Sequence, residues 1–420
     1  MKPKILTTLQ SYTGQQFVSD VVAGLTVAMV ALPLSIAIAV ASGADPAKGI
    51  VTAIVGGFLI SLLGGSRVQI GGPTGAFIVV VFGIIADHGY DGLVIATLMA
   101  GVILVLAGLL RIGNLINYVP EAVVNGFTIG IAFIIAASQL KDFLGLNMAS
   151  VPAGFVEKMH ALWGARDTVN MPSLVIALLT LGLIILFRRM APRLPGLLIA
   201  VAIASALVMA MELPVDTIAS RFGDLPHGLP MPSIPLLSIA RAAELLPSAL
   251  VIAFLAGVES LLSAMVADKM IGSSHRPNAE VLAQGFANIG SALFGGLPAT
   301  GAIARTATNV RAGGKTPVAG LVHALAILGV AIMFGGLVGF LAMPALAALL
   351  ILTAYNMSEP PKWRGFIAAP NEERLLLLLT LTLTIFTDLA LAIGFGTAIG
   401  LAIRLRKQNS AVDDWDVPNR

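Results

Sequence analysis

Apolar residues in this chain come in blocks about as long as a bilayer is thick, and nothing else limits the fold so strongly. Residues 20–41, 173–187, 375–386 and 389–403 are nearly free of charge and carry Gly and Pro within them. About 20 apolar residues cross a hydrocarbon core as a helix, which satisfies its own backbone where no water can. Cutting the sequence at charged and Pro/Gly-rich breaks gives fourteen such segments, at 20–41, 47–64, 73–86, 92–110, 119–139, 171–187, 194–211, 247–267, 280–294, 300–311, 317–334, 337–353, 374–387 and 389–403. Only 11% of residues are charged and 57% are hydrophobic, whereas an ordinary soluble domain is about a quarter charged. The expected fold class is an all-α polytopic membrane protein with 14 transmembrane segments.

The formal charge of +3 does not point to nucleic acid, because its distribution has a membrane explanation. With the N-terminus inside, 18 of the 25 Lys and Arg fall on cytoplasmic stretches, six on external ones, and Arg305 within a span. That is the positive-inside bias, and it places both termini in the cytoplasm of a bacterial inner membrane, with lipid as the surrounding partner. Cysteine is absent and the five His show no metal-ligand spacing, so neither a metal nor a cofactor is expected. There is no Walker motif to couple ATP. Residues 1–14 are polar and mildly basic, with no hydrophobic stretch of the kind a signal peptide needs.

Two of the segments are too short to cross as full helices, and they occupy corresponding places. One opens Gly71-Gly72-Pro73-Thr74-Gly75-Ala76-Phe77, the other Gly295-Gly296-Leu297-Pro298-Ala299-Thr300-Gly301-Ala302. Thr74-Gly75-Ala76 falls on Thr300-Gly301-Ala302 at an offset of 226, and Leu34-Ser35 falls on Glu259-Ser260 at 225. Two motifs at a nearly shared offset predict two halves of seven spans, and an odd number puts the halves in opposite orientations. The expected layout is a cytoplasmic N-terminus (1–19), a first inverted repeat (20–211), an external connection (212–246), a second repeat (247–405) and a cytoplasmic tail (406–420). Paired Gly/Pro-interrupted segments in such a repeat mark the binding site of a secondary transporter.

Pro is well placed in a first helical turn, where its missing N–H costs nothing. If both half-helices start near mid-membrane, the N–H groups of Thr74, Gly75, Ala76 and of Gly301, Ala302, Ile303 converge. Each helix end carries roughly half a positive charge, so the pair predicts an anionic substrate. Arg305, little more than a turn into the second half-helix, supplies a full charge, and an intramembrane charge is usually functional. Phe77 caps the site in this reading, with packing as the alternative. Glu259, midway along its span, is the expected proton-coupling residue, since a carboxylate away from water takes up a proton more readily than one in solution. The competing reading is a structural Arg305–Glu259 pair. An intramembrane enzyme is disfavoured because only those two groups could act.

The stretch Gly64-Gly65-Ser66-Arg67 through Gly72-Pro73-Thr74, the run Val258-Glu259-Ser260-Leu261-Leu262, and Gly295 through Arg305-Thr306 to Asn309-Val310-Arg311-Ala312-Gly313-Gly314-Lys315-Thr316 resemble the SulP (sulfate permease) anion transporters. The likeness covers the chain to about residue 405 and looks closest to bacterial carriers of four-carbon dicarboxylates. It implies a seven-plus-seven fold with core (spans 1–4, 8–11) and gate (spans 5–7, 12–14) domains, elevator movement and a homodimer. The substrate-contacting positions it implies are Thr74, Gly75, Ala76, Phe77, Ala302, Ile303, Ala304, Arg305 and Glu259. The family's usual cytoplasmic STAS domain is missing from this sequence, and Leu34 stands where many members have a polar residue. The expected function is proton-coupled uptake of a dicarboxylate such as succinate, fumarate or aspartate. The alternatives are a bicarbonate, sulfate or chloride symporter or exchanger, and a passive anion channel.

Overall fold

The computed structural model describes residues 2–113, 120–148, 151–152, 154–191, 194–223, 228–236, 238–387, 395–396 and 398–400. Its principal helices are α1 (Gly14–Ala41), α2 (Pro46–Leu63), α3 (Ile78–Leu109), α4 (Glu121–Leu144), α5 (Phe155–Gly164), α6 (Met171–Met190), α7 (Gly196–Ala210), α8 (Ile239–Ile271), α9 (Pro277–Leu293), α10 (Ile303–Arg311), α11 (Val318–Val338), α12 (Met343–Met357) and α13 (Asn371–Phe386). Two short strands, β1 (Gly71–Gly72) and β2 (Thr300–Gly301), interrupt them.

Local chemistry sets the helix starts. Thr13 and Gln16 form a reciprocal capping box on α1, which begins before the expected residue 20. Asp45 accepts from the Ala47 N–H, with Pro46 in the first turn of α2. Ser238 caps α8, so this helix starts at Ile239 rather than near 247 and carries Pro247 inside it. By length and composition, seven helical segments among the described residues can cross a membrane: α1, α2, 75–109, α4, α6, α8 and α11.

A helix underlies every expected segment up to residue 387, with three further differences of detail. Segments 73–86 and 92–110 are the two limbs of α3, bent at Gly89, whose φ of 71° and ψ of 176° leave the helical region. The expected span at 300–311 is helical only from Ile303, because Thr300 and Gly301 are extended. The expected span at 337–353 begins at Met343, since Ala342 is held in a bridge to Thr217 and its N–H donates to Ser205 Oγ. The expected span at 389–403 lies largely outside the described residues.

The helices pack as two groups. In one, α3 lies on α8 and α9, while α11 lies on α1 and α2, and α10 packs against α1 and α8. In the other, α4 contacts α12 and α13, and α6 contacts α7 and α12. Small residues set the closest approach: a Cβ on Gly285 of α9 would come within 2.6 Å of the Val105 N of α3. The groups meet through α12 and α7 against α1, and through α4 against the turn at Gly75–Phe77.

Candidate anion site at the crossing of two interrupted helices

The two interruptions meet. β1 pairs antiparallel with β2, Gly71 opposite Gly301 and Gly72 opposite Thr300, and the Ala302 N–H donates to the Ile70 carbonyl at 2.9 Å. Each strand runs directly into a helix. From β1 the chain passes Pro73 and Thr74 into a 3-10 turn at Gly75–Phe77 and then α3. From β2 it passes Ala302 into α10.

This pairing corrects one part of the expected donor set. The Ala302 N–H is spent on the ladder and cannot meet a ligand. The first-turn N–H groups of Gly75 and Ala76, and of Ile303 and Ala304, have no acceptor among the described residues, as first-turn donors generally do not. Unspent first-turn donors of this kind suit an anion. The side chains of Ile303 and Ala304 are exposed, while Ala76, Phe77 and Ala302 are buried.

Arg305 is 1% exposed and turns behind the crossing. Its Nη2 donates to the Pro73 carbonyl and to Ser35 Oγ, both at 3.0 Å, and Nη1 donates to the Gly71 carbonyl at 3.4 Å. It thus ties α10 to the first interruption and to α1. Its Nη groups are spent on two carbonyls and the Ser35 hydroxyl, while the buried Nε has no partner among the described residues. Glu259 of α8 accepts from Thr74 Oγ1 at 2.8 Å, which puts a half-buried carboxylate beside the start of the first half-helix. Leu34, its expected repeat mate, packs on the apolar core.

Irregular backbone inside a membrane needs partners other than water, and here side chains supply them. Asn288 Oδ1 accepts from the Ala299 N–H at 3.0 Å and its Nδ2 donates to the Ala299 carbonyl at 2.8 Å. Thr52 Oγ1 accepts from the Leu297 N–H at 2.6 Å, and Ser291 Oγ donates to the Leu297 carbonyl at 2.6 Å. Thr306 Oγ1 accepts from the Ile70 N–H, and Asn309 donates to the Val68 carbonyl. Glu280 is wholly buried; it accepts from the N–H groups of Gly65 and Ser66, from Gln69 and Gln284 amides, and from Ser260 Oγ.

Sequence reasoning passed over this cage. The signal was present in α9, where Glu280, Gln284 and Asn288 recur every fourth residue and so share one helix face. A polar stripe on a membrane helix needs polar partners, and the two interruptions provide them.

The architecture is that of a multi-pass membrane protein, and the family match makes it an anion transporter. The chain belongs to the sulfate permease family, whose family profile matches residues 17–380. It is 42% identical over 370 residues to the Bacillus subtilis (strain 168) protein named "Putative sulfate transporter YvdB", covering 88% of this chain and 70% of that one. It is 31% identical to the bicarbonate transporter BicA of Picosynechococcus, over 79% of this chain and 60% of that one. The solved transmembrane domain of a cyanobacterial BicA superposes with a TM-score of 0.81 at 28% identity, covering 93% of this chain and 98% of that domain. Murine Slc26a9, in an inward-facing state, shares the fold at a TM-score of 0.87 and 18% identity, over 96% of this chain and 71% of that one. The protein is a transporter and not an enzyme.

Proposed function

We propose that the chain is a secondary transporter of a small inorganic oxyanion, bicarbonate or sulfate, bound between the first turns of its two interrupted helices. The observation that carries this reading is that the β1–β2 ladder leads into two helix starts with unspent donors, Gly75 and Ala76 on one and Ile303 and Ala304 on the other. Four N–H groups and two helix dipoles suit a compact anion. Relatives named for sulfate and bicarbonate favour such an anion over the four-carbon dicarboxylate expected from sequence.

In this reading Glu259 couples transport to protons. A negative carboxylate next to the site opposes a second negative charge, and a protonated one does not, so proton and anion favour each other's binding by the same factor. Thr74 holds the carboxylate in place. The two packing groups act as core and gate, the core carrying the crossing past the gate in an elevator stroke. Assembly as a homodimer and cytoplasmic termini remain part of the proposal.

Uptake into proteoliposomes of labelled sulfate, bicarbonate, chloride and succinate, each with and without pH and sodium gradients, tests it. Saturable uptake of bicarbonate or sulfate, accelerated by an inward proton gradient, is expected. Uptake of succinate alone would return the dicarboxylate reading, and flux of chloride without saturation would indicate a channel.

A further inference from the structure

A second feature lies away from the crossing. A cavity of about 650 Å³ separates the first limb of α3 from α4, α5 and α13, and its wall begins at Ile78, the residue after the Gly75–Phe77 turn. That volume is within the range of small-ligand sites, about 300–1,000 Å³. Lys158 of α5 lines it and is only 3% exposed.

A lysine this deeply buried is nearly always paired. The Lys158 ammonium makes no ion pair or hydrogen bond among the described residues and stands 5.5 Å from the centre of the Phe82 ring. Such a contact falls well short of the cost of removing an ammonium from water. Burial accordingly holds its pKa below the ordinary lysine value. The other charges on the wall do not supply the missing partner. Arg221 is shared by Asp142 at 2.8 Å and Asp216 at 2.9 Å, Lys141 donates to the Met148 carbonyl, and Asp87 and Glu157 are exposed. Buried Gln139 adds a carboxamide to the same wall. Among the described residues the Lys158 ammonium is therefore the cavity-wall cation that has no acidic or carbonyl partner.

We propose that Lys158 and Gln139 form a second anion station in this cavity, which takes up the transported oxyanion on the membrane face that carries α5 and passes it toward the half-helix crossing. The inference rests on the anion-transport reading. An anion gives the Lys158 ammonium the partner that the described residues do not, and its dwell there raises its local concentration beside the first limb of α3.

Two measurements test it. In wild-type protein, acylation of Lys158 by an amine reagent is followed by mass spectrometry at fixed pH and ionic strength, in sodium sulfate, bicarbonate or gluconate. Sulfate or bicarbonate at ten times its Kd should slow labelling by about tenfold, because that fraction of sites is occupied. The Ile303→Pro variant, altered only at the crossing, should show the same protection. In oriented proteoliposomes, Lys158→Gln should raise KM about tenfold for anion presented on the α5 face and leave it unchanged on the other face, with Lys158→Arg near wild type. Labelling indifferent to both anions overturns the station even if Lys158→Gln fails to fold. Wild-type KM on both faces in Lys158→Gln overturns it too. Protection without any transport by wild-type protein would sink the transport reading and leave the station standing.

Discussion

Gly72 adopts a φ of 148°, where L side chains are strained, and a Cβ there would stand 2.0 Å from Arg305 Nη1. Strain of this kind costs on the order of 1–3 kcal/mol, and the displaced guanidinium adds to it. Gly72→Ala is expected to lower the thermal midpoint in detergent and abolish uptake, while Gly182→Ala, whose Cβ meets nothing within 4 Å, should leave both intact. Equal midpoints for the two variants would contradict the close packing at the crossing. Arg305 was legible in the sequence as a buried cation, but its direction was not. Its three acceptors lie more than 230 residues away, on segments whose pairing no local pattern announces. Because it braces the backbone, Arg305→Ala should lose stability as well as transport, and Arg305→Lys should rescue neither, since an ammonium cannot span those three oxygens. A thermal midpoint unchanged in Arg305→Ala would return the guanidinium to the ligand. Glu259→Gln, which mimics the protonated carboxyl, should keep anion exchange but lose acceleration by a proton gradient. Full gradient-driven accumulation by that variant would place the coupling proton elsewhere.

At the scale of elements, the membrane helices were legible because hydropathy and caps are local properties. The extended strands at 71–72 and 300–301 were not, because each is only two residues long and is defined by its distant partner. Gly and Pro marked where the helices stop; they did not say what replaces the missing helical hydrogen bonds. α9 supplies much of that replacement. Asn288→Leu would strand both the N–H and the carbonyl of Ala299, at about 1–3 kcal/mol for each unsatisfied group. A fall in thermal midpoint and loss of anion binding are expected. If Asn288→Leu binds and melts as wild type, the cage does not hold β2.

Across the whole molecule, the two packing groups touch where Gly75 faces α12: a Cβ at Gly75 would lie 3.0 Å from Met357 Sδ. The sequence has no cysteine, so in Gly75→Cys with Met357→Cys the introduced pair holds the only thiols. If the core slides past the gate, oxidation of that pair should halt transport and reduction restore it; undiminished turnover with the bond fully formed would rule out the sliding motion. The central claim, that helix-end N–H groups bind the anion, has a more direct test in Ile303→Pro. Ile303 is the first residue of α10 and follows an extended Ala302, with φ −101° and ψ 113°, so proline fits the helix start and removes only one N–H. Titration calorimetry of sulfate and bicarbonate against wild type and Ile303→Pro, with the anion-free thermal midpoint as control, isolates that donor. An unchanged midpoint with affinity weakened about tenfold is the predicted result; unchanged affinity would show that the helix ends do not hold the anion.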